Sequence, residues 1–194
     1  NACGRGRHAK ILKELGLQVI ATDLSDNNIK FASENYAKGI LFEKHDMRLP
    51  YKNQYFSAVF NLFTSLGYFE NPDDNLNVFR SAHAALVDGG IFIIDFFNSE
   101  IVCTQIKEHY EVKTENILFR INKKLFQKTI CKEIEFDIDN KQYKFIEKVS
   151  LLNESDFIEY ATNTNFTLVE KFGDYQLNSF DSKNSERLIM IFKK

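Results

Sequence analysis

The chain has 194 residues, of which 44% are hydrophobic and 27% are charged, and its formal net charge is −2 at pH 7. This composition is typical of a folded globular domain, and the small net charge gives no reason to expect a nucleic-acid or membrane partner. The cysteines are scattered without a CxxC pair, which argues against a disulfide framework or a zinc site. We therefore expect a cytoplasmic domain without a metal ion.

The predicted elements alternate between helix and strand over residues 1–100. The opening NACGRGRHAK has the glycine-rich character of a bend between a strand and a helix, and RHAKILKELG predicts a helix that ends at Gly16. LQVIATD and ILFEKHD predict strands, with Ser25 capping the helix between them. This order is typical of a parallel sheet covered by helices on both faces. No strand-like run precedes the opening glycines, so we expect the first strand to be missing from this chain.

Two more strands and a helix are predicted before residue 100. FSAVFNLF predicts a strand, and Asn71-Pro72-Asp73-Asp74 predicts the start of a helix. Asn is a good N-cap, Pro suits the first helical position, and the two carboxylates interact favourably with the positive end of the helix dipole. We expect this helix to stop at Asp88-Gly89-Gly90. The continuous apolar run IFIIDFF is typical of a strand buried on both faces.

The pattern changes after residue 100. ILFRINKK, TICKEIEFDI and KQYKFIEKVSLL alternate apolar and polar residues, with a bend at Asp139-Asn140, which predicts an antiparallel β insert. Asn153 then caps a helix, and FTLVEKFGDY and ERLIMIFKK predict a closing strand pair. We divide the chain into a cofactor-binding core (1–100), an insert that could cover an acceptor (101–152) and a helix with two strands that complete the core (153–194).

Candidate site residues follow directly after the predicted strands, because open α/β sheets bind ligands beyond the carboxyl ends of their strands. Gly4 and Gly6 let the backbone approach a ligand closely, and the Asp23 carboxylate can accept hydrogen bonds from a ribose diol. Gly4-x-Gly6-x-x-Ala9 with a downstream acid also satisfies the dinucleotide fingerprint. At this point an NAD site and a purely structural turn both stay open.

The pair Asp46-Met47 favours an adenine-binding loop. Asp46 follows the next predicted strand and can accept a hydrogen bond from the exocyclic amine of adenine, while Met47 can pack on the ring. A nicotinamide-binding domain has no such need for an acid there. The alternative is that Asp46 serves only the turn before Pro50.

Five segments in this order and spacing resemble the class I S-adenosylmethionine-dependent methyltransferases: ACGRGRHA, VIATDLS, HDMRLP, AVFNLFTSLGYF and LVDGGIFIIDFF, the last expected as a hairpin. The resemblance implies a Rossmann-like doubly wound α/β sheet, mostly parallel with a final antiparallel strand, and S-adenosylmethionine as cofactor. The family's opening acid would precede Asn1. The cofactor-binding positions that the resemblance implies are Ala2, Cys3, Gly4, Gly6, Arg7, Asp23, Leu24, Asp46, Met47 and Asn61.

The GYF stretch and the insert resemble the small-molecule branch of the family, including tellurite-resistance-type methyltransferases. An acceptor is expected near Phe63, Thr64 and Ser65, and Tyr68 is the candidate catalytic residue, which would orient or deprotonate it. Packing of Tyr68 against the insert is the alternative. The run NLFT differs from the Asn-Pro-Pro-aromatic run typical of enzymes that methylate exocyclic amines in nucleic acids.

The sequence therefore predicts methyl transfer to a small-molecule acceptor by direct in-line displacement, in a bacterial protein that is a monomer or homodimer. Two alternatives remain: an NAD-dependent oxidoreductase, and a degenerate methyltransferase-like domain that binds without turnover. The histidines show no ligand spacing, and His83 is expected to pack within the fold.

Overall fold

A computed structural model describes residues 1–36, 38–71 and 73–194. The helices are α1 (Arg7–Glu14), α2 (Asp26–Tyr36), α3 (Asp73–Ala85), α4 (Ser99–Thr104) and α5 (Glu154–Thr162). The strands are β1 (Val19–Asp23), β2 (Ile40–Lys44), β3 (Phe56–Asn61), β4 (Leu86–Phe97), β5 (His109–Thr114), β6 (Ile117–Phe126), β7 (Thr129–Ile138), β8 (Lys141–Ser150), β9 (Thr167–Phe172) and β10 (Arg187–Lys193). Pro72, predicted at the first helical position, lies outside the described residues. In the part described, no helix is long and apolar enough to cross a membrane.

The strands form three sheets. β1 pairs with β2 in parallel, and β3 pairs with β4 in parallel. β10 lies antiparallel between β4 and β9, which confirms the predicted closing strand pair. The third sheet is the antiparallel meander β5-β6-β7-β8. The α/β class and the final antiparallel strand are thus as the sequence predicts.

A groove separates the two parallel pairs. Within the described residues β1 and β3 do not pair with each other, and their facing edges line a cavity of about 670 Å³. Residues 1–3 bridge the edges at one end, where the Asn1 amine donates to the Phe60 carbonyl at 2.7 Å and Cys3 N donates to the Thr22 carbonyl at 2.9 Å.

The main core lies between α3, α5 and the sheet β3-β4-β10-β9. Val78 and Phe79 face the sheet from α3, and Phe79 meets Phe92 edge to face with ring centroids 5.2 Å apart. Phe166 and Phe192 complete the aromatic cluster around Phe79. These four phenylalanines stabilise the core because each ring buries a large apolar area.

Several local predictions are confirmed. Ser25 Oγ accepts from Asn28 N at the start of α2, and Asn153 forms a capping box with Asp156 at α5. At the predicted bend, Asp139 and Asn140 have φ of 51° and 60°, as a tight hairpin turn requires.

Two predictions for residues 86–97 are wrong. LVDGGIFIIDFF is one strand, β4, rather than a hairpin, and α3 ends at Ala85 instead of continuing to Asp88-Gly89-Gly90. The register against β3 shifts between Phe56↔Leu86 and Ala58↔Ile91, so the intervening residues form an irregularity within the strand. The two glycines therefore lie in the irregular part of the strand, and a glycine inside a strand often marks such a bulge.

The insert has more structure than the sequence indicates. α4 and β5 are absent from the predicted elements, although Asn98 Oδ1 caps α4 by accepting from Glu100 N at 3.1 Å. The other three strands of the meander match the predicted apolar-polar runs.

Candidate functional site

The glycine-rich loop before α1 gives the site its backbone wall. Ala2, Gly4 and Gly6 all have positive φ, of 52°, 54° and 83°. A Cβ at Gly6 would lie 3.0 Å from Ala32 Cβ and from the Phe42 ring, so glycine here lets α1 pack closely on its neighbours. A Cβ at Gly4 would meet no atom within 4 Å, so the loop is open at this point. Gly6 thus serves packing, whereas Gly4 leaves room for a ligand.

Asp23 fastens this loop to the end of β1. Its Oδ2 accepts from Gly4 N at 2.7 Å, and its Oδ1 accepts from Ser25 N at 2.9 Å and from Asn28 Nδ2 at 3.2 Å. The structure therefore brings together the predicted glycine loop and the predicted acid. These contacts orient the carboxylate and fill both acceptor positions of Oδ1, whereas Oδ2 keeps one further acceptor position.

Asn61 ends β3 with an unsatisfied amide. Its side chain is 1% exposed, and Nδ2 lies 3.3 Å from the Met47 sulfur, a weak acceptor. No group in the described residues donates to Asn61 Oδ1. A buried acceptor without a partner costs about 1–3 kcal/mol, so this position favours a ligand that donates a hydrogen bond.

The Asp46 carboxylate is hydrogen-bonded to an arginine of the same loop. Arg48 donates to it from Nη2 at 2.6 Å and from Nε at 3.0 Å, and Arg48 Nη1 reaches Asp74 at 2.7 Å. Hydrogen bonds from Arg48 lower the pKa of Asp46, so the carboxylate is ionised at neutral pH. This bridge joins the loop after β2 to α3. The role of Asp46 in binding adenine stays a prediction, as does that of Leu24, whose side chain is exposed.

A cavity of about 490 Å³ lies between the glycine loop and the loop after β3. Its lining combines predicted cofactor positions with residues of the expected acceptor region: Ala2, Cys3, Gly4, Arg7, Phe63 and Ser65. Burial, with a smaller contribution from the Asp23 carboxylate, raises the pKa of the Cys3 thiol to about 11. Cys3 is therefore a neutral wall residue at pH 7 and a poor nucleophile.

A buried ion pair, which the sequence did not predict, lies next to this cavity. The Asp95 carboxylate in β4 is 5% exposed and pairs with Arg187 at the start of β10, with Nη2 at 2.6 Å and Nε at 2.8 Å. The Tyr175 hydroxyl also donates to Asp95, at 3.2 Å. The available signal was an acid inside the continuous apolar run IFIIDFF, since a buried carboxylate needs a partner.

Tyr68 lies where the loop after β3 meets the insert. Ser150 N donates to the Gly67 carbonyl at 2.7 Å, so the GYF stretch contacts the end of β8 directly. Tyr68 is 50% exposed, and burial of its hydroxyl, together with Glu147, raises its pKa. The geometry is compatible with orienting an acceptor, while the raised pKa opposes a role in deprotonation. The catalytic role of Tyr68 stays a prediction.

The histidines are dispersed. His83 packs edge to face on Phe166, with centroids 5.1 Å apart, as expected for a residue within the fold. Burial lowers its pKa. Over the described ranges no cluster of potential metal ligands is found.

Comparison with known proteins shows which family this chain resembles. Residues 1–94 match the family model described as a methyltransferase domain. "Putative methyltransferase YqeM" of Bacillus subtilis (strain 168) is 33% identical over 101 residues, which cover 50% of this chain and 41% of that protein. The chain thus matches less than half the length of this curated relative.

Solved structures support the same fold. An S-adenosylmethionine-dependent methyltransferase from Clostridium acetobutylicum ATCC 824 has a TM-score of 0.86 at 19% identity, covering 99% of this chain and 81% of that chain. S-adenosylmethionine-bound CalS10, an amino pentose methyltransferase from Micromonospora echinaspora, has a TM-score of 0.76 at 13% identity and covers 99% and 80%. Residues 1–94 therefore match the methyltransferase-domain family, and the chain has the fold of solved S-adenosylmethionine-dependent methyltransferases.

Proposed function

We propose that this protein transfers a methyl group from S-adenosylmethionine to a small-molecule acceptor by direct in-line displacement. The observation that carries the proposal is the buried Asn61 Oδ1, to which no group in the described part of the chain donates a hydrogen bond. A small acceptor is supported by CalS10, which acts on an amino pentose, and by the lack of a strong positive charge on this chain.

The residues present fit the cofactor at two observed points. Asn61 Oδ1 would accept a hydrogen bond from the ammonium of the methionyl part, which would satisfy the buried amide. Asp23 Oδ2 would accept from a ribose hydroxyl while the carboxylate keeps its bonds to the glycine loop. Ala2, Cys3, Gly4 and Arg7 line the cavity of about 490 Å³ and would contact the cofactor there.

The chemistry requires little from side chains. When bound, S-adenosylmethionine supplies an activated methyl group on a sulfonium. The protein's part is to place the acceptor in line and to exclude water, which well-oriented binding achieves without a catalytic triad. Phe63, which lines the cavity with its ring, would exclude water on the acceptor side. A general base is required only for an acceptor that must lose a proton first.

We expect S-adenosylhomocysteine to bind this chain in a calorimetric titration, and NAD, tested in parallel, to show no binding. The reason is that the buried Asn61 Oδ1 would accept a hydrogen bond from the ammonium group of S-adenosylhomocysteine, a group that NAD lacks. Binding of NAD without S-adenosylhomocysteine would overturn the proposal in favour of an oxidoreductase. Binding of neither ligand would also overturn the proposal, whereas binding of S-adenosylhomocysteine without methyl transfer to any acceptor would favour the degenerate domain.

Tyr68→Phe is expected to reduce methyl transfer by less than about tenfold, whereas loss of a general base costs about 10²–10⁴-fold. Burial and Glu147 disfavour the phenolate, which leaves Tyr68 at most an orienting role. The measurement is S-adenosylhomocysteine release with acceptors from a panel of amino sugars and other small amines and alcohols.

Tyr55→Phe, an exposed tyrosine outside the cofactor cavity, is the matched control and should leave the rate unchanged. A loss of more than about 10²-fold specific to Tyr68→Phe would instead identify Tyr68 as the base.

We further propose a bacterial cytoplasmic location, a monomer or homodimer, and the division of the chain at residues 100 and 152. The bacterial origin of YqeM supports a bacterial source for this protein. Size-exclusion chromatography with light scattering tests the oligomeric state.

A further inference from the structure

Residues 63 and 64 hold an unfavourable backbone conformation beside the cofactor cavity. Phe63 has φ of 63° and Thr64 has φ of 60°, so two consecutive residues other than glycine are left-handed. A β-branched residue is especially unsuited to this region, because its Cβ substituents crowd the backbone. Such a conformation persists only where surrounding contacts hold it, and it is concentrated at functional sites.

Asp95 and Arg187 supply these contacts. Phe63 N donates to Asp95 Oδ2 and Thr64 N donates to the Asp95 carbonyl, both at 2.9 Å. Arg187 Nη2 donates to Thr64 Oγ1 at 3.3 Å while it pairs with Asp95. Thr64 Oγ1 also accepts from Phe97 N at 3.2 Å. The ion pair therefore contacts both left-handed residues: Asp95 accepts from the main chain of Phe63, and Arg187 donates to the side chain of Thr64.

The held backbone presents the Phe63 ring to the cavity. This ring is 61% exposed, lines the 490 Å³ cavity opposite the glycine loop, and lies 5.7 Å from the Arg187 guanidinium. Because both neighbouring peptide groups are held by Asp95, the direction of the Phe63 Cα–Cβ bond is defined even though solvent reaches the ring. A defined aromatic wall is what an in-line transfer needs on the acceptor side.

We propose that Asp95 and Arg187 are positioning residues for the methyl transfer: they hold Phe63 and Thr64 in the left-handed conformation, so that the Phe63 ring closes the acceptor side of the cofactor cavity. This inference rests on the proposed function. Neither residue touches the reacting atoms. Their effect passes through the backbone of residues 63 and 64.

The test is Asp95→Asn in the full chain, which keeps the side-chain shape and removes the charge. Hydrogen exchange at the Phe63 amide, which donates to the Asp95 side chain, should become at least about tenfold faster, because an amide oxygen is a weaker acceptor than a carboxylate. The affinity for S-adenosylhomocysteine, measured by calorimetry, should fall about tenfold. Asp137→Asn, which breaks the exposed Arg120–Asp137 pair of the insert, is the matched control and should change neither quantity.

A rescue variant separates positioning from general stabilisation. Glycine adopts positive φ without a steric penalty, so Thr64→Gly added to Asp95→Asn should restore S-adenosylhomocysteine affinity to within about threefold of wild type. A merely structural role of the ion pair predicts no such recovery. Arg187→Met is the second variant if Asp95→Asn unfolds, and thermal unfolding of each variant monitors the fold.

Unchanged exchange at residues 63 and 64 in both single variants would overturn the inference. Faster exchange with unchanged S-adenosylhomocysteine affinity would overturn the positioning role. A wild-type chain that fails to bind S-adenosylhomocysteine would overturn the proposed function instead, and the exchange data would still decide whether Asp95 holds the two residues.

Discussion

Asp23→Asn is expected to weaken S-adenosylhomocysteine binding by about 100-fold, as measured by isothermal calorimetry. The carboxylate accepts from Gly4 N at 2.7 Å and is the proposed acceptor for the ribose hydroxyls. An amide in its place would present a donor either to the glycine loop or to the ribose, and the remaining oxygen would carry no charge. The loop would lose its anchor and the ribose its acceptor in a single substitution.

Asp26→Asn is the matched control for this prediction. Asp26 is an exposed acid in the first turn of α2 that pairs with Lys44 at 2.6 Å, outside the cavity. Its replacement should leave the affinity within about twofold of wild type, because exposed pairs contribute little. An Asp23→Asn protein that binds as tightly as this control would show that Asp23 serves the turn alone.

Phe79→Ala is expected to lower the free energy of unfolding by about 3–5 kcal/mol. Phe79 is fully buried on α3 and contacts the rings of Phe92, Phe166 and Phe192, with centroids 5.2, 6.2 and 5.7 Å away. Its removal leaves a cavity among rings that belong to several elements, so no single segment can move in to fill it. Urea unfolding followed by circular dichroism measures the change.

Phe126→Ala provides the comparison at the end of β6. Phe126 is 70% exposed, so its replacement should change the free energy of unfolding by less than about 0.5 kcal/mol. Equal losses in the two variants would contradict the assignment of the aromatic cluster as the centre of stability.

Local chemistry explains which elements were predictable. The helix that starts at Asp73, the turn at Asp139 and Asn140, and the capping box at Asn153 depend on residues within a few positions of one another. Segment LVDGGIFIIDFF was wrongly predicted because a double glycine favours a turn in isolation, whereas here Leu86 pairs with Phe56 of β3, residues 91–97 pair with β10, and Gly89 and Gly90 hydrogen-bond to Lys194. Pairing partners distant in sequence overrode the local preference.

By itself, the sequence determined the alternation of helices and strands, the match of residues 1–94 to a methyltransferase domain, and the meeting of the glycine loop with Asp23, because strand ends and loop residues form contiguous motifs. Only the tertiary structure decided that Arg48 joins Asp46 to Asp74, that Asn61 Oδ1 lacks a donor among the described residues, and that Asp95 meets Arg187 across 92 positions. The physical reason is that hydrogen bonding and burial depend on which distant segments pack together. A sequence pattern can identify a carboxylate at a strand end, but its partner is set by the packing of the sheet.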